Sequence, residues 1–399
     1  MKKKSTQFRW LVTMLLLVTA MVMPSVAWAW TQPKGEGTEA NPYQISDNSE
    51  LYWFAEHVNA GNTTACAELT DDIYVDSEWT PIGSSPYTGT FDGQGHTIIG
   101  LRFSSDTQDS GPFGFFRGTE TNSVIRNVGI VNSSFTGWLD VGGVCGINSG
   151  TIENCYFTGT VSGRQSVGGV CGSNYGTIKN CYNNGSVIYC SKGGINMYGG
   201  VCGMNYDSGT IENCYNTGTV SGSDVAGGVC GANSGTINNC YNTGTVSCNG
   251  DYVGGVCNSN AGTITGCYNT GAVSSNGNAV GGVCVDNSGT LTNCYYLSGT
   301  ATGGIGSTDV TGSAEAKTTT QFASGEVCYL LNGSRSEGTA ENPLAWYQNI
   351  SPSSYPVLTG TGTNTVYQVK ILCGGTDDVG KTYSNTNKDI TVEHILIGP

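Results

Sequence analysis

The chain has 399 residues, a formal net charge of −14, 61 glycines and only 12% charged residues. The acidic balance argues against binding to nucleic acid or to anionic membranes, because both reward basic patches. Low charge and abundant glycine are typical of a repeat protein rich in turns rather than of two or three ordinary globular domains.

The first 29 residues have the features of a secretory signal peptide. Four basic residues within the first nine precede an apolar stretch at 11–26, and AWA at 27–29 is a small-x-small cleavage site. We expect cleavage after Ala29, a secreted or cell-surface location, and no membrane insertion of the mature chain. Removal of residues 1–29 takes four of the 16 basic residues and no acidic one, so 12 remain against 30 acids, a net charge of −18.

Residues 30–125 are predicted to form an N-terminal cap and irregular first coils. Asp47 followed by Glu50 is a capping-box signature, and Gly61 lies where a helix would end. We therefore predict a cap helix over residues 48–60, with one apolar face made of Leu51, Phe54, Ala55 and Val58. Such a helix would cover the open end that a solenoid otherwise exposes. Weaker copies of the downstream repeat at 90–98, 113–116 and 125–128 predict early coils.

Residues 126–300 are dominated by one unit that occurs six times. Its first copy reads VGGVCG at 141–146, NSGTIENCY at 148–156 and TGTVSG at 158–163. Each copy has three short β-type runs separated by Gly, Asn and Ser, and no run has the length or period of a helix. A unit of about 27 residues suits one coil of a three-faced solenoid with coils about 4.8 Å apart. The fold predicted is all-β, a right-handed parallel β-helix (β-solenoid) of roughly eight coils with an N-terminal cap helix and a C-terminal cap.

Stacked coils would turn repeated residues into columns. An Ile/Leu column and a Val column should face the core, and an Asn column should lie at a tight bend, because Asn tolerates left-handed backbone. The Ile/Leu column is Ile152, Ile178, Ile211, Ile237, Ile264 and Leu291. The Val column is Val161, Val187, Val220, Val246 and Val273. The bend column is Asn154, Asn180, Asn213, Asn239, Gly266 and Asn293.

Two further columns consist of cysteine and are predicted to be structural ladders. Metal binding is disfavoured, because Cys-x9-Cys is not a zinc spacing, whereas disulfides would suit an exported chain. We favour mostly free, buried thiols, since Cys packs as a small hydrophobe in columns that otherwise behave as core. The first ladder is Cys145, Cys171, Cys202, Cys230, Cys257 and Cys284. The second is Cys155, Cys181, Cys214, Cys240, Cys267 and Cys294.

A column of tyrosines follows the second cysteine ladder. It is either an aromatic ladder that stiffens the solenoid or an exposed strip that binds glycans or protein partners. The direction in which the rings face separates the two interpretations. This candidate binding strip is Tyr156, Tyr182, Tyr215, Tyr241, Tyr268 and Tyr295.

The C-terminal part is less regular. Residues 301–360 are predicted to be a C-terminal cap region with a short helix over 321–331, and residues 361–399 to be the start of a further β domain or a tail. The segment GGIGSTD at 303–309 is a near miss for a calcium-binding glycine-rich repeat, and we interpret it as a flexible loop.

These units closely resemble the GLUG repeat of exported bacterial proteins, which also occurs in non-catalytic regions of immunoglobulin A-specific metallopeptidases. The resemblance covers about residues 35–360. It rests on the repeated strings above and on NPYQI at 41–45, WTPIG at 79–83, FDGQGHTI at 91–98, FASGEV at 322–327 and YPVL at 355–358. It implies a β-solenoid in an extracellular or surface setting and no defined biochemical activity.

No catalytic, metal-binding or cofactor-binding residue is predicted. A metallopeptidase needs His-Glu-x-x-His, and His57, His96 and His394 do not have that spacing. A β-helix polysaccharide hydrolase or lyase needs clustered carboxylates, but Glu153 and Glu212 lie in a variable column and are not adjacent. We therefore expect a non-catalytic binding or display module, such as an adhesin, for an unknown protein or glycan ligand. The alternatives are a structural stalk for a missing domain and, less favoured, a polysaccharide-active enzyme.

Overall fold

The computed structural model describes residues 30–105, 107, 111–190, 196–277, 279–306, 314–335, 338–348 and 354–358. The predicted signal peptide (1–29) and the predicted tail or further domain (361–399) lie outside the described residues. The chain forms two compact units, Met1–Thr318 and Thr319–Pro399. No helix of the described residues is long and apolar enough to cross a membrane.

The first unit is a parallel β-solenoid, as the repeat predicts. Its strands form four sheets with in-register parallel pairing, which we name after their repeated residues: the Ile, Tyr, Gly and Cys sheets. The Ile sheet has ten strands and therefore spans nine turns of the coil, against the roughly eight predicted. The prediction of three faces is wrong, because each regular coil contributes to four sheets.

The strands of the Ile sheet are Tyr43–Ile45, Ala67–Leu69, Thr90–Asp92, Val124–Arg126, Thr151–Glu153, Thr177–Lys179, Thr210–Glu212, Thr236–Asn238, Thr263–Thr265 and Thr290–Thr292. Those of the Cys sheet are Phe116–Gly118, Cys145–Asn148, Cys171–Asn174, Cys202–Asn205, Cys230–Asn233, Cys257–Asn260 and Cys284–Asn287. Those of the Gly sheet are Leu139–Gly142, Gln165–Gly168, Tyr198–Gly199, Val225–Gly227, Tyr252–Gly254 and Ala279–Gly281.

The Tyr sheet is the longest, with fifteen strands. They are Ile73–Tyr74, Thr97–Ile99, Arg102–Ser104, Gly129–Thr136, Tyr156–Gly163, Tyr182–Asn183, Ser186–Tyr189, Tyr215–Asn216, Thr219–Gly222, Tyr241–Asn242, Val246–Cys248, Tyr268–Asn269, Val273–Ser275, Cys294–Leu297 and Ala314–Lys317.

The fourth face arises at the Gly-Gly-Val-Cys run, which bends instead of forming one strand. The Gly sheet strand ends at Gly142 and the Cys sheet strand begins at Cys145. A Cβ on Gly143 would lie 2.2 Å from the Phe157 ring and 2.3 Å from the Gly169 carbonyl oxygen. Because the Phe157 ring and the neighbouring coil come this close, only glycine fits at position 143. The glycine pair therefore forms a corner of the coil.

The predicted apolar columns lie in the interior. Members of the Ile/Leu column pair residue for residue from Ile152 onwards, and Phe91 and Ile125 extend that column into the early coils. The residues Ile152 to Ile264 of this column are fully buried, and Leu291 is 8% exposed. Phe116 pairs with Cys145, which confirms that residues 113–116 are an early copy of the Gly-Gly-Val-Cys run.

The bend column has the predicted left-handed backbone. Asn154, Asn180, Asn213, Asn239 and Asn293 have φ between 51° and 54°, and Gly266 takes the same position with φ of 61°. The column extends one coil further back than predicted, because Asn127 has φ of 54°. Asn and Gly are the residues that adopt this conformation at least cost.

At the N-terminal side of the first unit, helix α1 spans Asn48–Asn59, one residue short of the prediction. The Asp47 side chain accepts from the Glu50 amide at 2.9 Å, and the Glu50 carboxylate accepts from the Ser46 amide at 2.7 Å. Leu51, Phe54, Ala55 and Val58 of this helix are buried in the same core cluster as the solenoid columns. The predicted apolar face is therefore the one that packs.

Residues 303–306 continue the solenoid, so the interpretation of this part of 303–309 as a flexible loop is wrong, and residues 307–309 lie outside the described residues. The Gly282 amide donates to the Gly303 carbonyl at 2.7 Å and the Val283 amide to the Gly304 carbonyl at 3.0 Å. Ile305 pairs in parallel with Cys284 and takes the cysteine position of the next coil. The residues Gly303 to Gly306 thus form a degenerate copy of Gly-Val-Cys-Gly, as found at 143–146.

In the second unit, the helix predicted over 321–331 is broken into α2, Thr319–Ala323, and α3, Glu326–Leu331. The break lies at Gly325, whose φ of 83° interrupts helical geometry. A short antiparallel pair, Trp346–Tyr347 with Val357–Leu358, completes the described part. The Asn332 side chain donates to the Trp346 carbonyl at 2.8 Å and accepts from its amide at 3.0 Å, which ties the helices to this pair.

The facing of the Ile sheet makes a first prediction about stability. Ile237 is fully buried, whereas the adjacent Asn238 points outward. Ile237→Ala should lower the free energy of unfolding by about 2–5 kcal/mol through the lost burial and the cavity that remains. Asn238→Ala, its matched control, should change it by less than about 0.5 kcal/mol. Urea unfolding of both variants measures this, and equal losses at the two positions would contradict the assigned facing.

Candidate functional site

The two predicted cysteine ladders lie inside the solenoid. Successive members of the first ladder are direct partners in the Cys sheet, and all six are fully buried. Each of these thiols donates to the carbonyl oxygen two residues ahead, as Cys145 does to Ile147 at 3.1 Å. In the second ladder the Cys155 amide donates to the sulfur of Cys181 at 3.4 Å, and later coils repeat this contact. The thiols therefore act as packing groups and as internal hydrogen-bonding groups.

Burial makes members of both ladders poor nucleophiles and poor metal ligands. Burial raises the pKa of Cys145, Cys155 and Cys294 well above the ordinary thiol value. The thiolate is the form that attacks and that binds metal. Across the described residues, no group of three or more His, Cys, Asp or Glu side chains could hold a metal ion. All sixteen described cysteines are free thiols, and Cys190 is the exposed member of that set.

The tyrosine column lies on the outer side of the Tyr sheet. Tyr156 stands between Cys155 and Phe157, both fully buried, so strand alternation turns its ring outward. From Tyr156 to Tyr268 successive rings are nearly parallel, with interplanar angles of 2–9° and centroids 4.8–5.1 Å apart. Stacked rings are in contact when their planes are about 3.5 Å apart. Because the centroids are farther apart than this, neighbouring rings are offset from one another. Each ring thus covers the faces of its neighbours.

Both ends of this tyrosine ladder are also covered. At the N-terminal end a Cβ on Gly129 would lie 2.3 Å from the Tyr156 ring, so this ring lies against bare backbone. At the other end the Lys317 ammonium lies 5.4 Å from the Tyr295 ring centre and 3.2 Å from the Glu315 carboxylate. What the ladder offers to a ligand is therefore ring edges and hydroxyl groups, mainly at Tyr156, Tyr182 and Tyr215, which are half-buried.

Two ladders of buried asparagine were not predicted. The first runs through Asn148, Asn174, Asn205, Asn233, Asn260 and Asn287, and each Nδ2 donates to the Oδ1 of the next coil at 2.7–2.8 Å. The second runs through Asn183, Asn216, Asn242 and Asn269 at 2.8 Å. The signal that could have found them is an Asn at a constant place, in Cys-x-x-Asn in all six copies and in Cys-Tyr-Asn in the four middle copies.

Charged residues on the outer side of the Ile sheet form a row in which adjacent coils carry opposite charges. The direct partners run Asp92, Arg126, Glu153, Lys179 and Glu212. Arg126 lies 2.7 Å from Asp92, and Lys179 lies 3.1 Å from Glu153. This confirms that Glu153 and Glu212 are not adjacent, because Lys179 lies between them. Asp92 and Glu153 are thus each paired with a cation, and the carboxylates of this row do not form an acid–base pair.

His57 and His96 each contact a neighbouring side chain, Trp53 and Asp72 respectively. The His57 ring stacks on Trp53 with ring centres 4.5 Å apart, and burial lowers its pKa. His96 Nδ1 lies 3.5 Å from the Asp72 carboxylate, and that carboxylate also accepts from the Thr97 amide at 2.7 Å. His394 lies outside the described residues.

Comparison with known proteins identifies the repeat. Residues 139–162, 163–188 and 194–221 match the family model of the GLUG motif. The β-solenoid therefore contains three GLUG motifs, as the sequence resemblance predicted.

Two known proteins resemble parts or all of this architecture. Halomucin from Haloquadratum walsbyi is 34% identical over 142 residues, which are 32% of this chain and 2% of halomucin. A crystal structure from Bacteroides ovatus, described provisionally as an immunoglobulin A1 protease, superposes with a TM-score of 0.51 at 24% identity. That match covers 82% of this chain and 94% of the other. At this identity it shows the shared fold alone.

The first asparagine ladder makes a prediction about the free energy of unfolding. The Asn233 side chain accepts from Asn205 Nδ2 and donates to Asn260 Oδ1 and to the Gly235 carbonyl. Asn233→Ala removes these hydrogen bonds and leaves the three partner atoms buried. We expect a loss of about 1–3 kcal/mol in the free energy of unfolding. Asn239→Gly, the matched control, removes a side-chain amide at the bend. It should change the free energy of unfolding by less than about 0.5 kcal/mol, because Gly266 already occupies the equivalent position. Chemical denaturation of both variants measures the difference, and a neutral Asn233→Ala would contradict the ladder's role.

The cysteine ladders make a prediction about labelling. Denatured protein purified without oxygen should take up an alkylating reagent at most of its 17 cysteines without prior reduction. Native protein should react fast at Cys190 and slowly at the fifteen buried described thiols, as read by intact mass. Denatured protein that reacts at only a few sites until reductant is added would show instead that the coils are joined by disulfides.

Cys145, Cys155 and Cys294, whose pKa burial raises, predict how stability depends on pH. A folded-state pKa above the unfolded value of about 8.5 favours the neutral thiol in the folded state. The stabilisation is complete below that value and is lost as pH rises through it. We therefore expect the midpoint of urea unfolding, measured under reducing conditions, to fall as pH is raised above about 8.5. A midpoint that stays constant across that range would argue against free buried thiols.

Proposed function

We propose that this chain is an exported, non-catalytic binding and display module whose solenoid surface engages a protein or glycan ligand. The observation that carries the proposal is the outer side of the Ile sheet, where one hydroxyl recurs in every regular coil. Thr151, Thr177, Thr210, Thr236, Thr263 and Thr290 are direct partners and none is buried. Parallel pairing spaces such residues by about 4.8 Å.

A row of this kind suits a ligand that is itself extended and repetitive. Each hydroxyl both donates and accepts, and identical contacts along a rigid row add up through multivalency rather than through one deep pocket. Beside it, the charged row ends in Asn238, Thr265 and Thr292, so the outer side of the Ile sheet carries only uncharged polar groups in its last three strands. Polar, uncharged surfaces are those that hydrogen-bond to glycans or to polar protein surfaces.

Three further observations support export and the absence of catalysis. The sequence begins with signal-peptide features, which we take to direct secretion or surface display. The acids of the charged row alternate with Arg126 and Lys179, which removes the paired carboxylates that a glycosidase uses. The sequence has no His-Glu-x-x-His, so the likeness to the structure from Bacteroides ovatus gives no support for peptidase activity.

A structural stalk is the second candidate, and the stacked ladders favour it. Continuous rows of stacked tyrosine and hydrogen-bonded asparagine run along the coil axis and resist bending between coils. A stalk needs this stiffness and no ligand. The similarity to halomucin supports a repeat module within a much longer protein, since it covers 2% of halomucin, and it assigns no ligand.

Binding is tested with the mature chain on a glycan array and on a panel of extracellular matrix proteins. For any ligand found, Thr210→Arg with Thr236→Arg on the outer Ile sheet should weaken binding at least about tenfold, because a bulky charge interrupts the row. Thr219→Arg, on the outer side of the Tyr sheet, is the matched control and should bind as the parent does. Absence of binding on both panels would favour the stalk. Polysaccharide turnover that is abolished by Glu153→Gln or Glu212→Gln would favour the enzyme.

A further inference from the structure

A groove of about 490 Å³ lies beside helix α1 in the first unit, away from the repeated coils. Its lining includes Trp30, Tyr52, Glu56, Asn59 and Glu78. These residues come from the first described residue, from the helix and from the segment that follows it. None of them belongs to a ladder, and the binding role proposed above does not use them.

Aromatic rings form one side of the groove. The rings of Trp30 and Tyr52 stack with centroids 4.5 Å apart and an interplanar angle of 18°. Trp79, fully buried, supports Tyr52 from behind with ring centres 5.5 Å apart. Trp30 stays partly exposed at the groove. The face of an indole ring carries the negative end of the ring quadrupole and attracts cations.

Carboxylates lie on the remaining sides. Glu56 Oε1 accepts from the Trp30 indole at 2.9 Å, which uses one of about four lone-pair sites on that carboxylate. Glu78 is exposed and its carbonyl accepts from the Tyr52 hydroxyl at 3.1 Å. The ion pairs of the described residues include neither glutamate. Burial raises the pKa of Tyr52, and the negative charges of Asp76 and Glu78 raise it further. The negative electrostatic potential of these carboxylates therefore extends to the aromatic side of the groove.

The groove is held open by its own hydrogen bonds. Asn59 Oδ1 accepts from the amides of Gly83 and Ser84 at 2.7 and 2.8 Å, and its Nδ2 donates to the Pro81 carbonyl at 3.2 Å. Gly83 has φ of 96°, a backbone conformation that the tight turn requires and that glycine adopts readily. Helix and loop are thereby fixed to each other, so little reorganisation is needed when a ligand enters.

We propose that this groove binds an organic cation of the alkylammonium type, such as a lysine side chain or a quaternary ammonium group. An aromatic face with two carboxylates beside it is the arrangement that recognises such cations. An anionic ligand would be repelled, because the polar lining carries negative charge and no Lys or Arg. The net charge of the whole protein, −14, attracts cations in the same sense.

The test uses tetramethylammonium chloride as the probe, titrated into the mature chain and followed by the indole N–H resonances of the tryptophans. Neopentyl alcohol, a neutral compound of similar shape, and sodium chloride are the matched controls. We expect saturable shifts with tetramethylammonium alone, weakened by added salt because exposed charges are screened. Glu56→Gln and Glu78→Gln should each weaken binding about 3- to 10-fold.

Asp207→Asn removes the same charge at an exposed loop far along the sequence and should bind as the parent does. Equal binding of neopentyl alcohol, or unchanged affinity in both glutamine variants, would overturn the proposal, as would the absence of any saturable shift. A chain that keeps residues before Trp30 should be titrated in parallel, because a free α-ammonium at Trp30 is itself a cation beside the groove. None of these outcomes depends on the glycan and matrix panels, so the groove can fail while the proposed function stands.

Discussion

The structure depends on one constraint: each coil lies in register on the next at the spacing of a parallel sheet. Every residue in a regular coil therefore has a copy of its own position as its nearest neighbour on either side. Isoleucine, valine, cysteine, threonine and tyrosine are compatible with such copies, since they pack or stack on themselves. Like charges are not, because their repulsion would accumulate along the row. The low charge of the chain follows from this constraint rather than from its surroundings.

Where charge does enter the stack, it obeys the same constraint. Asp92, Arg126, Glu153 and Lys179 follow one another with alternating sign on the outer Ile sheet. Surface pairs of this kind contribute little to the free energy of unfolding. They do oppose a shift by one coil, which would place like charges side by side. These pairs therefore help to select the register and add little to the free energy of unfolding.

Asparagine satisfies the constraint in a different way from cysteine. An amide has a donor and an acceptor, so copies of it join head to tail, and the Asn148 ladder ends on the Thr119 hydroxyl at 2.9 Å. The second ladder lies between Phe157 and Tyr296, which take the same column in the coils before and after it. Its amides are therefore shielded from water and are satisfied by one another. Each coil completes the hydrogen bonds of its neighbours, so the coils are coupled as well as stacked.

The sequence predicted those features that repetition itself encodes. The columns of Ile, Val, Cys and Tyr follow directly from the period, and the bend at Asn154 follows from the tolerance of Asn for left-handed backbone. The fourth sheet could not be predicted in this way, because Val-Gly-Gly-Val-Cys reads as one apolar run until Gly143 is found against Phe157. The buried asparagines were missed for a related reason: an Asn beside Gly suggests a turn, and only the contacts show that Asn148 points inward.

The outward direction of the tyrosines also required structure, and it changes what the strip can do. Had the ring faces been open, sugars could have stacked on them. Since each ring covers the next, recognition on the regular coils must use edges and hydroxyl rows, which repeat and cannot form a single asymmetric site. A cluster of aromatic and acidic side chains that is not repeated from coil to coil occurs in the irregular part, at Trp30, Tyr52 and Glu78. The two proposals therefore place two kinds of recognition in different parts of the unit: extended, repetitive ligands along the coils, and small individual groups at the irregular end.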